Sequence, residues 1–591
     1  MIRSATRVEH TPSHLLCRTA ALLLTLVAGV PSIVPGKIGQ CAENANSPNV
    51  ILILADDQGY GDLGCHGNPV IKTPNLDRLY RESLRLTNYH VDPTGAPSRA
   101  ALLTGRYSAR TGVWHTMMGR SLLRRGEVTA AEIFARAGYR TAVLGVWNLG
   151  DNYPFRPMDR GFQESLVCGG GGITQTPDWW GNTYNAPVLW QNGKPVRTSG
   201  YCTDVLFAAA TRFVEQSRGK PFFLFLAPNV PHAPYQVSET YSNPYRAAGV
   251  PATVADFYGM ITNLDENLGQ FLAKLSQWGL RENTIVIYTT DNGTAGGGYN
   301  AQMRGGAGSP YDGGHRVPCF IRWPAQLRGG HDVKPLTAHF DILPTLIDFC
   351  RLPKPLKVTF DGMDLRALLS TEGEAGPHRT LFVQAQNADR PEPWRQSAVM
   401  NEQYRLVDGK ELYDIRRDPG QTKDLGPENR EQVLFLRQAY KKWYEQVSTQ
   451  FDDCPAIALG SPHANPTTLT CFDWHGPDVP ATQRQVAMGL VANGYWAVDV
   501  QEAGQYEITL RHRPAWVNAP LPPGMARLKV GDEVQFKPIP PGASGVPFRI
   551  TLKLGPAQLQ TWLIESKGTS RGAYFVDVKL LGPASPAGGK R

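Results

Sequence analysis

Long apolar runs are scarce in this chain, and their scarcity excludes the most. Only residues 19–30 (TAALLLTLVAGV) approach one, and they fall short of the ~20 apolar residues a membrane helix needs. No membrane span is therefore expected. Cysteine is also sparse, at nine in 591 residues, and no CxxC pair occurs, which excludes a zinc ribbon. Charge of one sign is thin: the formal net charge is +8, of which residues 1–47 carry two, too diffuse to argue for a nucleic-acid partner.

The residues that are present fit an exported multidomain protein. Arg3, Arg7 and Arg18 precede the 19–30 run, and Pro31 and Pro35 interrupt the chain just after it, so 1–42 reads as a signal peptide and the protein as periplasmic or extracellular. In that oxidising setting Cys454 and Cys471 form the expected local bridge. A chain this long exceeds one hydrophobic core. From residue 49, buried-type strands at 50–55, 139–144, 222–227 and 284–290 alternate with amphipathic stretches at 130–137, 205–216 and 256–278, and 75–86 has helical spacing. This predicts an α/β fold with a mostly parallel sheet flanked by helices. A small α+β C-terminal subdomain is expected over about 340–451, then a linker rich in Pro, Asn and Thr over 452–479. Period-two alternation predicts an appended β-sandwich over 480–582, with 583–591 as a disordered tail.

Three strand ends carry polar chemistry. The first runs into Asp56-Asp57, another into Asp291-Asn292, and the strand at 222–227 into 231–234 (PHAP) with His232. Ligands in open parallel sheets bind beyond the carboxyl ends of the strands. Asp56, Asp57, Asp291 and Asn292 offer hard oxygen donors suited to Ca²⁺ or Mg²⁺. Either pair alone is equally at home in a turn; their recurrence at two strand ends favours a metal site. Arg99, at a loop-to-helix entry, suits an anion.

Five segments in order, 56–62 (DDQGYGD), 97–106 (PSRAALLTGR), 231–234, 291–293 (DNG) and 313–318 (GGHRVP), resemble the motifs of the sulfatase (arylsulfatase) family. Tyr413-Asp414, Asp418-Pro419 and Asp424-Leu425 resemble the end of its C-terminal subdomain. The resemblance spans about 49–451 and implies an alkaline-phosphatase-like fold, metal ligands at Asp56, Asp57, Asp291 and Asn292, and substrate contacts from Arg99 and His232. It also implies a sulfate ester, such as a sulfated carbohydrate, as ligand.

The family pattern breaks at the position of its oxidised nucleophile. In the family a Cys or Ser there becomes formylglycine; here it is Gly95, so no formylglycine is expected. Val146 and Ala307 stand where the resemblance places lysines, Asn148 where it places a histidine, and Asp312 replaces a glutamate. Losing one electrostatic donor of this kind costs on the order of 10²–10³ in rate. The expectation is an inactive or impaired, metal-bearing protein that binds sulfated carbohydrate or a partner. Two alternatives remain: a metal-dependent sulfate or phosphate ester hydrolase with an altered nucleophile (Thr94 or Ser98), and a polysaccharide binder using sandwich aromatics (Trp474, Tyr495, Trp496, Trp516).

Overall fold

The computed structural model describes residues 47–370 and 376–583. The signal segment 1–42 lies outside the described residues, as do 584–591 of the expected tail. Among the described residues no helix is long and apolar enough to cross a membrane.

The continuous apolar runs become the middle of a ten-stranded sheet. Five parallel strands lie side by side in the order Thr284–Thr290, Asn49–Ala55, Phe222–Ala227, Arg140–Val146 and Glu164–Cys168. The three central ones are buried along almost their whole length, because helices cover both faces and leave no solvent side for a polar alternation. Helices Cys202–Gln216 and Ala252–Gln277 pack on one face, while Gly95–Thr104, Ala130–Arg136 and Ile342–Phe349 contribute to the core on the other. Antiparallel strands extend both edges, among them Cys319–Arg322 and Val188–Gln191.

The expected helix over 75–86 is shorter. It runs Pro74–Glu82, and Leu84–Leu86 instead form a strand against Cys319–Arg322. Leu84 and Leu86, two residues apart, share one face only in a strand, and pairing with Cys319–Arg322 buries both.

The C-terminal subdomain is a four-stranded antiparallel sheet, Leu381–Gln384 through Glu411–Asp414, covered by helix Arg430–Val447. Beyond it two sheets, antiparallel but for the parallel pair Ile457–Leu459 and Tyr495–Val500, enclose a core that includes Trp474, Trp496, Tyr506 and Phe548. The stretch 452–479 is not a linker. Its strands Ile457–Leu459 and Thr467–Thr470 belong one to each sandwich sheet, and Trp474 is fully buried. The Cys454–Cys471 bridge is not formed either: Cys454 faces the Asp452 carbonyl, Cys471 the Pro480 carbonyl, and both are free.

Candidate functional site: a cation and anion cavity at the strand ends

The site follows from sheet register. Ala55 pairs with Thr290, so the next residues of the two neighbouring strands, Asp56-Asp57 and Asp291-Asn292, emerge together. Asp57 takes a left-handed backbone conformation (φ 72°), which turns the chain sharply as it leaves the strand. Its amide donates to Asp291 Oδ1 at 3.1 Å, and Asn292 Nδ2 donates to Asp57 Oδ1 at 2.8 Å. From the other neighbouring strand, Asn229 Nδ2 donates to Asp56 Oδ2 at 2.7 Å. His232 Nε2 stands 4.0 Å from Asp57 Oδ2.

Opposite these residues lies the start of helix Gly95–Thr104. Its remaining nine residues are all buried, which small side chains at Ala96, Ala100 and Ala101 permit, and Pro97 is tolerated because the first turn needs no amide donor. Arg99 projects from that turn with no exposed surface. It donates to Asp291 Oδ2 at 2.7 Å and to the Val146 carbonyl at 3.0 Å, and lies 3.6 Å from Asp56.

Nine of the ten sequence-predicted positions line one cavity of about 150 Å³: Asp56, Asp57, Gly95, Arg99, Asn148, His232, Asp291, Asn292 and Ala307. Val146 does not. Its side chain is buried and its contribution is the carbonyl that Arg99 engages. Sequence reasoning missed Asn229, which sits between the strand end and His232, and Gly171 and Gln175, also on the cavity wall. The glycine run 169–172 after a parallel strand was the signal for the latter pair.

Three carboxylates face Arg99 and His232 with little other compensation. Burial pushes Asp291 upward, reinforced by the charge of Asp56 and opposed by Arg99. Burial also raises Asp57, against the pull of His232. His232 is raised because the Asp56 and Asp57 charges outweigh its desolvation. Ligand atoms of Asp56, Asp57 and His232 lie within 4.8 Å of one another. An under-compensated set of hard oxygen donors fits a divalent cation such as Ca²⁺ or Mg²⁺.

A second group, His90, Asp312 and His315, is equally compact but differently filled. The Arg405 guanidinium donates to Asp312 Oδ1 at 2.9 Å and to Asn88 Oδ1 at 3.0 Å, and His90 Nδ1 contacts His315 Nδ1 at 2.9 Å. This fully buried cluster is an ion-paired brace, with the cation's place taken by arginine. It holds the loop that enters the helix: the His315 carbonyl accepts from Val91, and His339 Nε2 lies 3.1 Å from Asp92 Oδ2. The Asp92 carbonyl in turn accepts the Ser98 hydroxyl at 2.9 Å, which turns Ser98 to the loop.

This sheet, its capping subdomain and the acidic strand ends define a member of the alkaline-phosphatase-like sulfatases. The chain matches the Sulfatase family over residues 48–350 and the N-sulphoglucosamine sulphohydrolase C-terminal family over 309–448; it belongs to the sulfatase family. It is 34% identical to arylsulfatase A of Homo sapiens over 399 residues, covering 61% of this chain and 73% of that one. It is 32% identical to N-acetylgalactosamine-6-sulfatase of Rattus norvegicus over 384 residues, covering 59% and 70%. Among solved structures, Ps i-CgsB in complex with k-i-k-neocarrahexaose superposes with a TM-score of 0.63 at 27% identity, covering 69% of this chain and 94% of that one. A phosphonate monoester hydrolase of Agrobacterium radiobacter shares the fold at a TM-score of 0.52 and 22% identity, covering 68% and 96%. Both family matches end before the sandwich.

Proposed function

We propose that this chain is an exported, Ca²⁺- or Mg²⁺-bearing sulfatase-family protein that binds a sulfate ester on carbohydrate and does not hydrolyse it by the formylglycine route. The observation that carries the reading is Gly95. The first residue of the helix facing the cation cavity has no side chain, and an added Cβ would meet Asp291 Oδ2 at 2.8 Å. Asp56, Asp57, Asp291 and Asn292 would hold the metal, which when bound supplies a positive anchor for an ester oxygen. Arg99 neutralises the carboxylates beneath it, and His232, on the cavity wall, donates to a bound anion. Ala307 and Asn148 add no charge to the wall, so the pocket holds an anion without the surplus positive charge that a developing leaving group demands. The relation to a chain solved with k-i-k-neocarrahexaose supports a carbohydrate ligand.

A second reading is favoured by one specific atom. Thr94 Oγ1 has no hydrogen-bond partner and its residue lines the cavity, which suits a substitute nucleophile better than the engaged Ser98. The test is turnover of an aryl sulfate and an aryl phosphate by the purified chain in Ca²⁺, beside Asp57→Ala and Thr94→Val. Binding without turnover is expected, with Ca²⁺ raising the melting temperature of the parent but not of Asp57→Ala. Turnover that disappears in Asp57→Ala sinks the binding-only reading. Its disappearance in Thr94→Val as well identifies the hydroxyl as nucleophile.

A further inference from the structure

A second cavity, of about 280 Å³, opens where the α/β domain meets the sandwich. Asp151, Asp178 and Trp190 come to its wall from the α/β side, and Thr468, Thr470 and Trp516 from the sandwich. Trp516 is 50% exposed yet stacks on Trp179 of the other domain, with ring centroids 4.6 Å apart and planes 12° from parallel. Trp179 in turn lies 6.4 Å from Trp190. A row of three indoles thus crosses the junction and ends in a half-exposed ring.

Two polar groups on the wall lack partners. Thr470 is only 9% exposed, and neither its hydroxyl nor the Trp190 Nε1–H is hydrogen-bonded. An unpaired buried donor costs about 1–3 kcal/mol, which a ligand hydroxyl would recover. Charge then selects the ligand. Asp151 accepts from the Gly170 amide at 3.1 Å and Asp178 from the Thr174 amide at 3.0 Å, and both residues line the cleft. Arg156, also on the wall, is held by both oxygens of Asp159 at 2.8 and 2.9 Å. A sulfated unit would meet acids there with no unengaged arginine to receive it. A flat, uncharged ring with apolar C–H faces and hydroxyls at its rim satisfies the indole platform and the orphan donors together.

We infer that the junction cleft binds a neutral pyranose unit of a glycan chain, using Trp516 as its stacking platform. Only the ligand class, carbohydrate, is shared with the proposed function, and none of the residues around Gly95 takes part.

Titration calorimetry on the full chain tests it, with neoagarohexaose, cellohexaose and mannohexaose as neutral probes. At least one is expected to bind with a Kd below about 1 mM. Trp516→Ala should weaken that binding at least about tenfold, and Trp516→Phe, which keeps a flat ring, should retain most of it. An unchanged melting temperature checks that each variant is folded. Asp57→Ala should leave this binding intact, so failure of the cation cavity and failure of the cleft are distinguishable. Absence of binding by all three probes, or an unaltered Kd in Trp516→Ala, overturns the inference.

Discussion

Position 95 sits in the first turn of a buried helix, against a carboxylate that Arg99 already holds. Gly95→Cys must displace Asp291 Oδ2, which an added Cβ would meet at 2.8 Å, and adds no positive charge to a cavity whose wall includes the uncharged Asn148 and Ala307. The variant is expected to fold, with a melting temperature within about 2 °C of the parent, and to show no aryl sulfate turnover even when coexpressed with a formylglycine-generating enzyme. A second residue-scale expectation concerns Asp473, where burial, reinforced by Asp151, pushes the carboxyl up to about 8. Its folded-state pKa lies above the unfolded value of about 3.9, so the folded chain retains a proton that the unfolded chain gives up as pH rises from about 4 to 8. Stability falls across that window. Asp473→Asn should therefore stabilise the protein more at pH 8 than at pH 5, by a difference on the order of 1–3 kcal/mol in urea unfolding.

At the scale of elements, the brace around Arg405 joins strand Tyr404–Val407 of the subdomain to the turn at Asp312–His315. Both charges are buried, and removing one leaves the other uncompensated. Arg405→Met should cost about 3–5 kcal/mol, read from the urea midpoint. The central strands were legible because burial on both faces writes a continuous apolar run, as at 222–227 and 284–290. That Asp56-Asp57 and Asp291-Asn292 share one cavity was legible because each pair directly follows such a run. Strand Gly555–Glu565 was not, since Thr561 stands in its buried phase, Trp562 in its outward one, and a Gly-Pro pair opens it. The strands at 457–459 and 467–470 were read as linker, because short strands between Pro and Asn residues differ from loops only through the partners they meet. A bridge between Cys454 and Cys471 failed for a similar reason: nearness in sequence does not fix where the thiols point. Trp474 and Trp496 proved to be core, whereas Trp516 is half exposed and stacks on Trp179 of the α/β domain.

Taken whole, the molecule does not divide cleanly after residue 451. Leu122 and Phe155 of the α/β domain lie in the sandwich core, and Thr176 Oγ1 donates to the Pro480 carbonyl at 2.6 Å. Gln483 reaches back to the carbonyls of Gln175, Asp178 and Trp179, and His475 Nδ1 contacts Asp389 Oδ1 at 2.9 Å. A chain cut after residue 451 would expose these apolar residues and leave the opposed polar groups unpaired. It is expected to aggregate, or to melt at least about 5 °C lower, by size-exclusion chromatography and thermal unfolding. A piece beginning near residue 477 would lack one strand of each sheet, so sandwich binding is best assayed in the intact chain.

The bare helix start at Gly95 also governs how the protein comes into being. Glycine has no thiol or hydroxyl to oxidise, so on the function proposed above the site needs no converting enzyme and no moment of exposure during synthesis. Its chemistry at residue 95 is complete when the chain leaves the ribosome, and two hosts that differ in maturation machinery should yield chains of the same mass and behaviour there.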